Sequence, residues 1–279
     1  MKKLKIAAAS IANYIGDYEK SIDSIQKWTQ KAKAKDADVI LFPELNLTGY
    51  ITAPIAADIA LPLDNRYNEM IVDICKDNSI VICYGFIEKE DQNLFCTHAI
   101  VDKDGIVGTQ RKIHVPRQEA DYWKPGNNIQ VFDVNGTKIG LSICRDSFFP
   151  EYQRTLYFKG CEVVLMPFSY YNVPRSKYLT ETHHGRSIQV NAWNNGFYAV
   201  VCNSAKNREP SKWEPNGRRF GGWCGIFDPW GEKIVFTDDE GNNETMIVAE
   251  LDPSTLVDRR THCNFLAEEL RNGVYQFKK

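Results

Sequence analysis

Polar and apolar positions along the chain follow two rhythms, one of period two and one of helical spacing. The apolar run Lys5 to Ser10 predicts a first strand. Asp17 to Lys35 has Ile22, Ile25 and Trp28 on one stripe with charges opposite, which predicts an amphipathic helix. Ala37 to Phe42 predicts a buried strand. Asn65 to Lys76 predicts a second helix with Met70, Ile71 and Ile74 inward. Ile80 to Ile87, rich in β-branched and aromatic residues, predicts a strand.

The rhythm then turns to hairpins. Cys96 to Val101 and Ile106 to Lys112 flank the turn Asp102-Lys103-Asp104-Gly105, and Ile129 to Val134 and Lys138 to Ile143 flank Asn135-Gly136. Pro150 to Lys159 predicts a helix, Val163 to Pro167 a buried strand, and Ser176 to Asn195 a long helix. Phe197 to Asn203 predicts another strand. Gly222 to Phe227 and Lys233 to Thr237 form a hairpin around Asp228-Pro229-Trp230-Gly231, and Thr245 to Leu251 closes the core. Strand–helix units mixed with hairpins predict an α/β fold with mixed sheets. No repeat, linker or low-complexity segment interrupts the pattern, so residues 1–279 are read as a single domain. Residues 252–279 carry only weak core periodicity. Their apolar residues Phe265, Leu266, Leu270, Tyr275 and Phe277 predict a tail docked on the body or on a partner.

Composition narrows the function classes. At 279 residues, 43% hydrophobic and 25% charged, the chain has the make-up of a soluble globular protein with a sizeable core. A net charge of -2 argues against nucleic-acid binding. No apolar run approaches the ~20 residues of a membrane span. Met1-Lys2-Lys3 with Ile6 to Ala9 is too short for a signal peptide and is soon followed by Asn13, Asp17 and Glu19, so a cytoplasmic protein is expected. The eight cysteines make no C-x-x-C pair and no zinc spacing, and most lie within apolar runs. They read as reduced core residues, with no metal and no cofactor expected.

Cys144 stands apart. The run Lys138 to Ile143 ends at it, polar residues follow, and Pro150 marks a helix start. A cysteine on a strand-to-helix turn presents a thiol, and backbone N–H groups and a helix N-terminus there would favour the thiolate. A buried structural cysteine fits the same stretch equally well. Two further stretches weigh in: Val39 to Leu45 leads a strand through Pro43 into Glu44, and Gln110 to Pro116 carries Lys112 at a hairpin's end. Alone, each reads as an ordinary solvated strand end. Together with Cys144 they supply a nucleophile, a carboxylate base and a cation for an oxyanion.

The joint pattern resembles the nitrilase superfamily of carbon–nitrogen hydrolases, in its amidase and N-carbamoyl hydrolase branch. The matching text is Phe42-Pro43-Glu44-Leu45 with Thr48-Gly49-Tyr50, then Arg111 to Pro116, then Gly140 to Glu151. Gln118-Glu119, with Tyr122 and Pro125-Gly126 after it, resembles the family's second glutamate. The resemblance implies a four-layer α-β-β-α sandwich, usually dimerised about a two-fold axis, so a homodimer or higher homo-oligomer is expected. It implies a catalytic set of Glu44, Lys112 and Cys144, with Glu119 orienting Lys112 or the substrate. The implied reaction is C–N cleavage of a small linear amide or N-carbamoyl compound through a thioester, with nitrile hydrolysis and a non-catalytic binding protein as alternatives. Tyr50, His114, Arg145, Phe148, Tyr170 and Arg175 are candidates for substrate contact, each with packing or surface pairing as its competing role. Arg117, Arg145 and Arg175 suggest a substrate carboxylate. His114, two residues past Lys112, is expected on the same strand face.

Overall fold

Two six-stranded sheets carry the molecule. The structure is a computed structural model that describes residues 1–170, 185–206, 220–237, 243–262, 265–271 and 274. The first sheet runs β12-β1-β2-β3-β4-β5, from strands β1 (Leu4–Ser10), β2 (Val39–Leu41), β3 (Val81–Glu90), β4 (Asn93–Asp102), β5 (Gly105–Arg111) and β12 (Thr245–Leu251). The second runs β11-β10-β9-β8-β7-β6, from β6 (Val131–Val134), β7 (Thr137–Leu141), β8 (Val163–Phe168), β9 (Tyr198–Asn203), β10 (Trp223–Phe227) and β11 (Lys233–Thr237). In each sheet three parallel strands, β1-β2-β3 and β7-β8-β9, are flanked by antiparallel ones.

Period-two alternation sorts each strand between two cores. Ile6, Ala8, Val39 and Leu41 face Ile139, Leu141, Val163, Leu165 and Val200 of the other sheet. Their neighbours Ala7, Ala9 and Ile40 face outward onto Ile22, Ile25 and Trp28 of α1 (Tyr18–Lys33) and Ile71 and Ile74 of α2 (Arg66–Asn78). On the far side Val164, Met166, Ala199 and Val201 pack on Tyr152 and Leu156 of α3 (Pro150–Phe158) and Ile188 and Ala192 of α4 (Gly185–Asn195). The order of layers is therefore α-β-β-α, as the resemblance implies.

Local chemistry fixes the ends of these elements. Asp17 and Asn65 cap α1 and α2 by accepting backbone N–H groups. Asn135 and Gly136, at φ 53° and 80°, make the tight β6–β7 turn that an Asn-Gly pair favours. The β3–β4 hairpin extends beyond the expected strands through polar arms, where Glu88 accepts from Thr97 and Arg111. Of the long helix expected over Ser176 to Asn195, residues 185–195 are helical and 176–184 lie outside the described residues. The start of the C-terminal stretch forms α5 (Pro253–His262) and docks on the body: Leu256 is buried, and Arg259 and Arg260 donate to the carbonyls of Trp193 and Gly196. Among the described residues no helix is long and apolar enough to cross a membrane.

Candidate active site

The carboxyl ends of the strands meet in one place. Glu44 follows β2, Lys112 follows β5, Cys144 follows β7, and Ser169 follows β8. Both sharp exits use left-handed backbone at residues other than glycine, Leu45 at φ 55° and Cys144 at φ 46°. Such conformations cost about 1–3 kcal/mol and persist only where the surroundings enforce them. A close approach enforces the first: a Cβ on Gly85 of β3 would stand 2.6 Å from the Leu45 nitrogen. Only glycine lets the Glu44 turn sit against β3 there.

Lys112 is fully buried between two carboxylates. Its Nζ donates to Glu44 Oε1 and to Glu119 Oε2, both at 2.8 Å. Glu119 also accepts the Tyr50 hydroxyl at 2.6 Å. Glu44 Oε1 receives the Cys96 thiol at 3.5 Å, while Oε2 receives the Ser169 N–H at 3.0 Å. The same Ser169 backbone faces the Cys144 sulfur, so thiol and carboxylate share its polar edge.

The electrostatics follow from burial and proximity. Burial opposes a charge on Lys112, but Glu44, Cys144 once ionised and Glu119 outweigh it and hold the ammonium protonated well above its ordinary range. Burial raises Glu119, against the pull of the Lys112 charge. Burial also raises the Cys144 thiol, and Glu44 adds to the effect more than Lys112 relieves it. Both effects oppose the thiolate that nearby backbone N–H groups favour. A 3-10 turn, Cys144–Phe148, separates the nucleophile from α3, whose N-terminus lies at Pro150. Cys144 is therefore a neutral thiol that needs a base.

A cavity of about 610 Å³ is lined by Ile113 and Arg145, the residues that follow Lys112 and Cys144, and by His114, Arg117, Lys124 and Phe149, while Lys112 and Cys144 themselves do not line it. Among the described residues, basic side chains line it and no acidic one does. The expected substrate contacts divide around it. Arg145 is exposed at its wall and lies over the Phe148 ring at 5.5 Å. Tyr170 is half-buried and close enough for Cys144 to raise its hydroxyl, after burial. Tyr50 is buried behind Glu119, its hydroxyl already spent. His114 does not share a strand face with Lys112, because β5 ends at Arg111 and the chain turns. Its ring instead meets Asp146 and stacks on Phe149 at 3.6 Å. Arg175 lies outside the described residues. Burial, with the Lys112 charge adding, pushes His98 down to about 3, which leaves it neutral and removes it as a base.

Three members of the cluster escape a reading of the sequence. Ser169 and Cys96 sit within strongly apolar runs, and Asp146 reads as a polar residue of a loop. Only the assembled fold brings Ser169 and Cys96 to Glu44, and Asp146 to the residues after Lys112.

The carbon–nitrogen hydrolase family model matches residues 5–261, and the chain belongs to that family. A nitrilase from Pyrococcus abyssi is 28% identical over 98% of this chain and 99% of its own. An N-carbamoylputrescine amidase from Arabidopsis thaliana is 27% identical over 88% of this chain and 85% of its own. A carbon–nitrogen hydrolase from Helicobacter pylori shares the fold with a TM-score of 0.84 at 21% identity, covering 98% of this chain and 97% of that one.

Proposed function

We propose that the protein is a cysteine-dependent amidohydrolase that cleaves the C–N bond of a small linear amide or N-carbamoyl compound. The observation that carries this is the buried Glu44–Lys112–Glu119 cluster against the Cys144 thiol. Glu44 Oε2 takes the thiol proton as the sulfur attacks the carbonyl carbon. Lys112 has two N–H groups on carboxylates and a third for the developing oxyanion. Glu44 returns the proton to the departing nitrogen, and ammonia or an amine leaves a thioester on Cys144. Glu44 then activates water, which releases the acid and restores the thiol. Glu119, braced by Tyr50, fixes Lys112. The reaction as written uses no cofactor.

The far end of the substrate is anionic on this reading. Arg117, Lys124 and Arg145 line the cavity, and the nearby Asp146 carboxylate is taken up by Ile113 and His114, which suits a substrate carboxylate. A cationic carbamoyl amine, of the kind named in the Arabidopsis relative, meets like charge there. Nitrile hydrolysis is a second reading, supported by the name of the Pyrococcus relative. Ammonia release across amides, carbamoyl amines, carbamoyl amino acids and nitriles tests these readings together. Turnover of carbamoyl amino acids or amide acids is expected; turnover of nitriles alone overturns the proposal.

A homodimer is supported by exposed apolar side chains on adjacent helices, Phe158 of α3 with Val190 and Trp193 of α4. Light scattering behind a sizing column should give twice the chain mass. A cytoplasmic setting is supported by the free state of the described cysteines.

A further inference from the structure

Each catalytic side chain from the first sheet has its own fastening to the second. Glu44 is held by Ser169, through N–H to Oε2 at 3.0 Å and hydroxyl to carbonyl at 2.8 Å. Lys112 has no such direct bond to the second sheet's elements among the described contacts. The residues after it do. Asp146, buried and two positions past Cys144, accepts the Ile113 N–H on Oδ2 at 3.3 Å and the His114 N–H on Oδ1 at 2.7 Å. Its Oδ1 also meets the His114 ring at 2.8 Å, under the stacked face of Phe149.

Asp146 is itself fixed. Its N–H donates to the Ile143 carbonyl at 3.0 Å, and its carbonyl accepts from Gln153 at 3.2 Å. The carboxylate is thus rigid relative to the Cys144 turn, and it grips the chain where that chain leaves β5. On the other side Lys112 is pinned by its own N–H to the Cys96 carbonyl at 2.8 Å. Between these two anchors the Lys112 backbone has one place to stand.

We propose that Asp146 is a positioning residue that sets the Lys112 ammonium against the Cys144 thiol by strapping residues 113 and 114 to the nucleophile turn. The inference rests on the proposed roles of Lys112 and Cys144. The strap is made by backbone N–H groups, and the His114 ring shields it without being essential to it. An oxyanion donor must stand within hydrogen-bond reach of an oxygen that exists only in the transition state, and a shift near 1 Å can cost about 100-fold in rate.

The test compares turnover with alkylation of Cys144 by a small haloacetamide. Alkylation breaks a carbon–halogen bond and forms a carbon–sulfur bond without building an oxyanion, so it reads the thiol and the charges around it but not the oxyanion contact of Lys112. Asp146→Asn keeps the size of the side chain but turns a donor toward the Ile113 N–H. It is expected to lower kcat by about 10- to 100-fold with KM changed little, while Cys144 alkylates within about threefold of the wild-type rate. His114→Ala, which keeps both backbone bonds but removes a side chain of the cavity wall, is expected to act mainly on KM and to lose less than about fivefold in kcat. Equal losses of turnover and alkylation in Asp146→Asn would show that the residue merely supports the nucleophile turn. A loss in His114→Ala as large as in Asp146→Asn would place the effect in the ring instead of the strap. Wild-type turnover in Asp146→Asn would also overturn the proposal. If no substrate turns over in the wild type either, the amidohydrolase reading fails first, and alkylation alone reports that the site is intact.

Discussion

Ser169 holds Glu44 at both ends of the residue, donating its N–H to the carboxylate at 3.0 Å and its hydroxyl to the carbonyl at 2.8 Å. The two belong to different sheets, so the contact sets how the proposed base meets the nucleophile. The hydroxyl lies in a buried chain with Asn13 and Ser204. Ser169→Ala leaves the Glu44 carbonyl without this donor. It is expected to cost about 1–3 kcal/mol in stability, with kcat lowered on the order of 10-fold. Denaturant unfolding alongside steady-state kinetics measures both. A stability loss with unchanged kcat would show that the contact supports the fold alone.

Cys144 is expected to rest as a thiol. Its folded-state pKa is raised by burial and by Glu44, so the thiolate is disfavoured through the neutral range and appears only as pH climbs past the ordinary thiol value. The ultraviolet thiolate absorbance of wild type minus Cys144→Ser, followed with pH, reads this directly. A thiolate signal saturated below pH ~7 would contradict the assignment of Glu44 as the base that removes the proton.

Tyr50 tunes Glu119. Burial raises the Glu119 carboxyl, and the bonds from Lys112 and Tyr50 oppose that rise. Removing the hydroxyl in Tyr50→Phe raises it further, so Glu119 takes up its proton at a higher pH as the solution is acidified. The activity that depends on its charge is then lost sooner. The acid limb of the kcat/KM profile should move to higher pH while the alkaline limb stays. An unmoved acid limb would show that Glu119 need not be ionised.

Much of this arrangement is legible in the sequence, for physical reasons. The period-two runs at Leu4–Ser10 and Val163–Phe168 are long and apolar, and the Asn135-Gly136 turn has a conformational demand that few other pairs meet. Glu44, Lys112 and Cys144 stand out because each follows a strand, whereas Glu119 lies in a turn and is picked out only by the family resemblance. The rest is hidden because its information is not local. Asp146 gains meaning only when β7 brings it to residues 113 and 114. Ser169 does so only when β8 lies across from β2. Nor does the local sequence show that burial and a carboxylate from another strand oppose the thiolate that backbone N–H groups near Cys144 favour. Helix α5 is obscured by charges in its sequence, and two of these, Arg259 and Arg260, turn inward to cap carbonyls of the body.

The central claim is that Cys144 forms a covalent thioester with the substrate's acyl or carbamoyl group, using Glu44 as proton carrier. Acid-quenching a slow-substrate reaction and mapping peptides by mass spectrometry tests it most directly. The account predicts the acyl mass on the Cys144 peptide in wild type, at a level falling sharply in Glu44→Gln and absent in Cys144→Ala. Turnover that survives in Cys144→Ala, or an adduct carried by another residue, would contradict it.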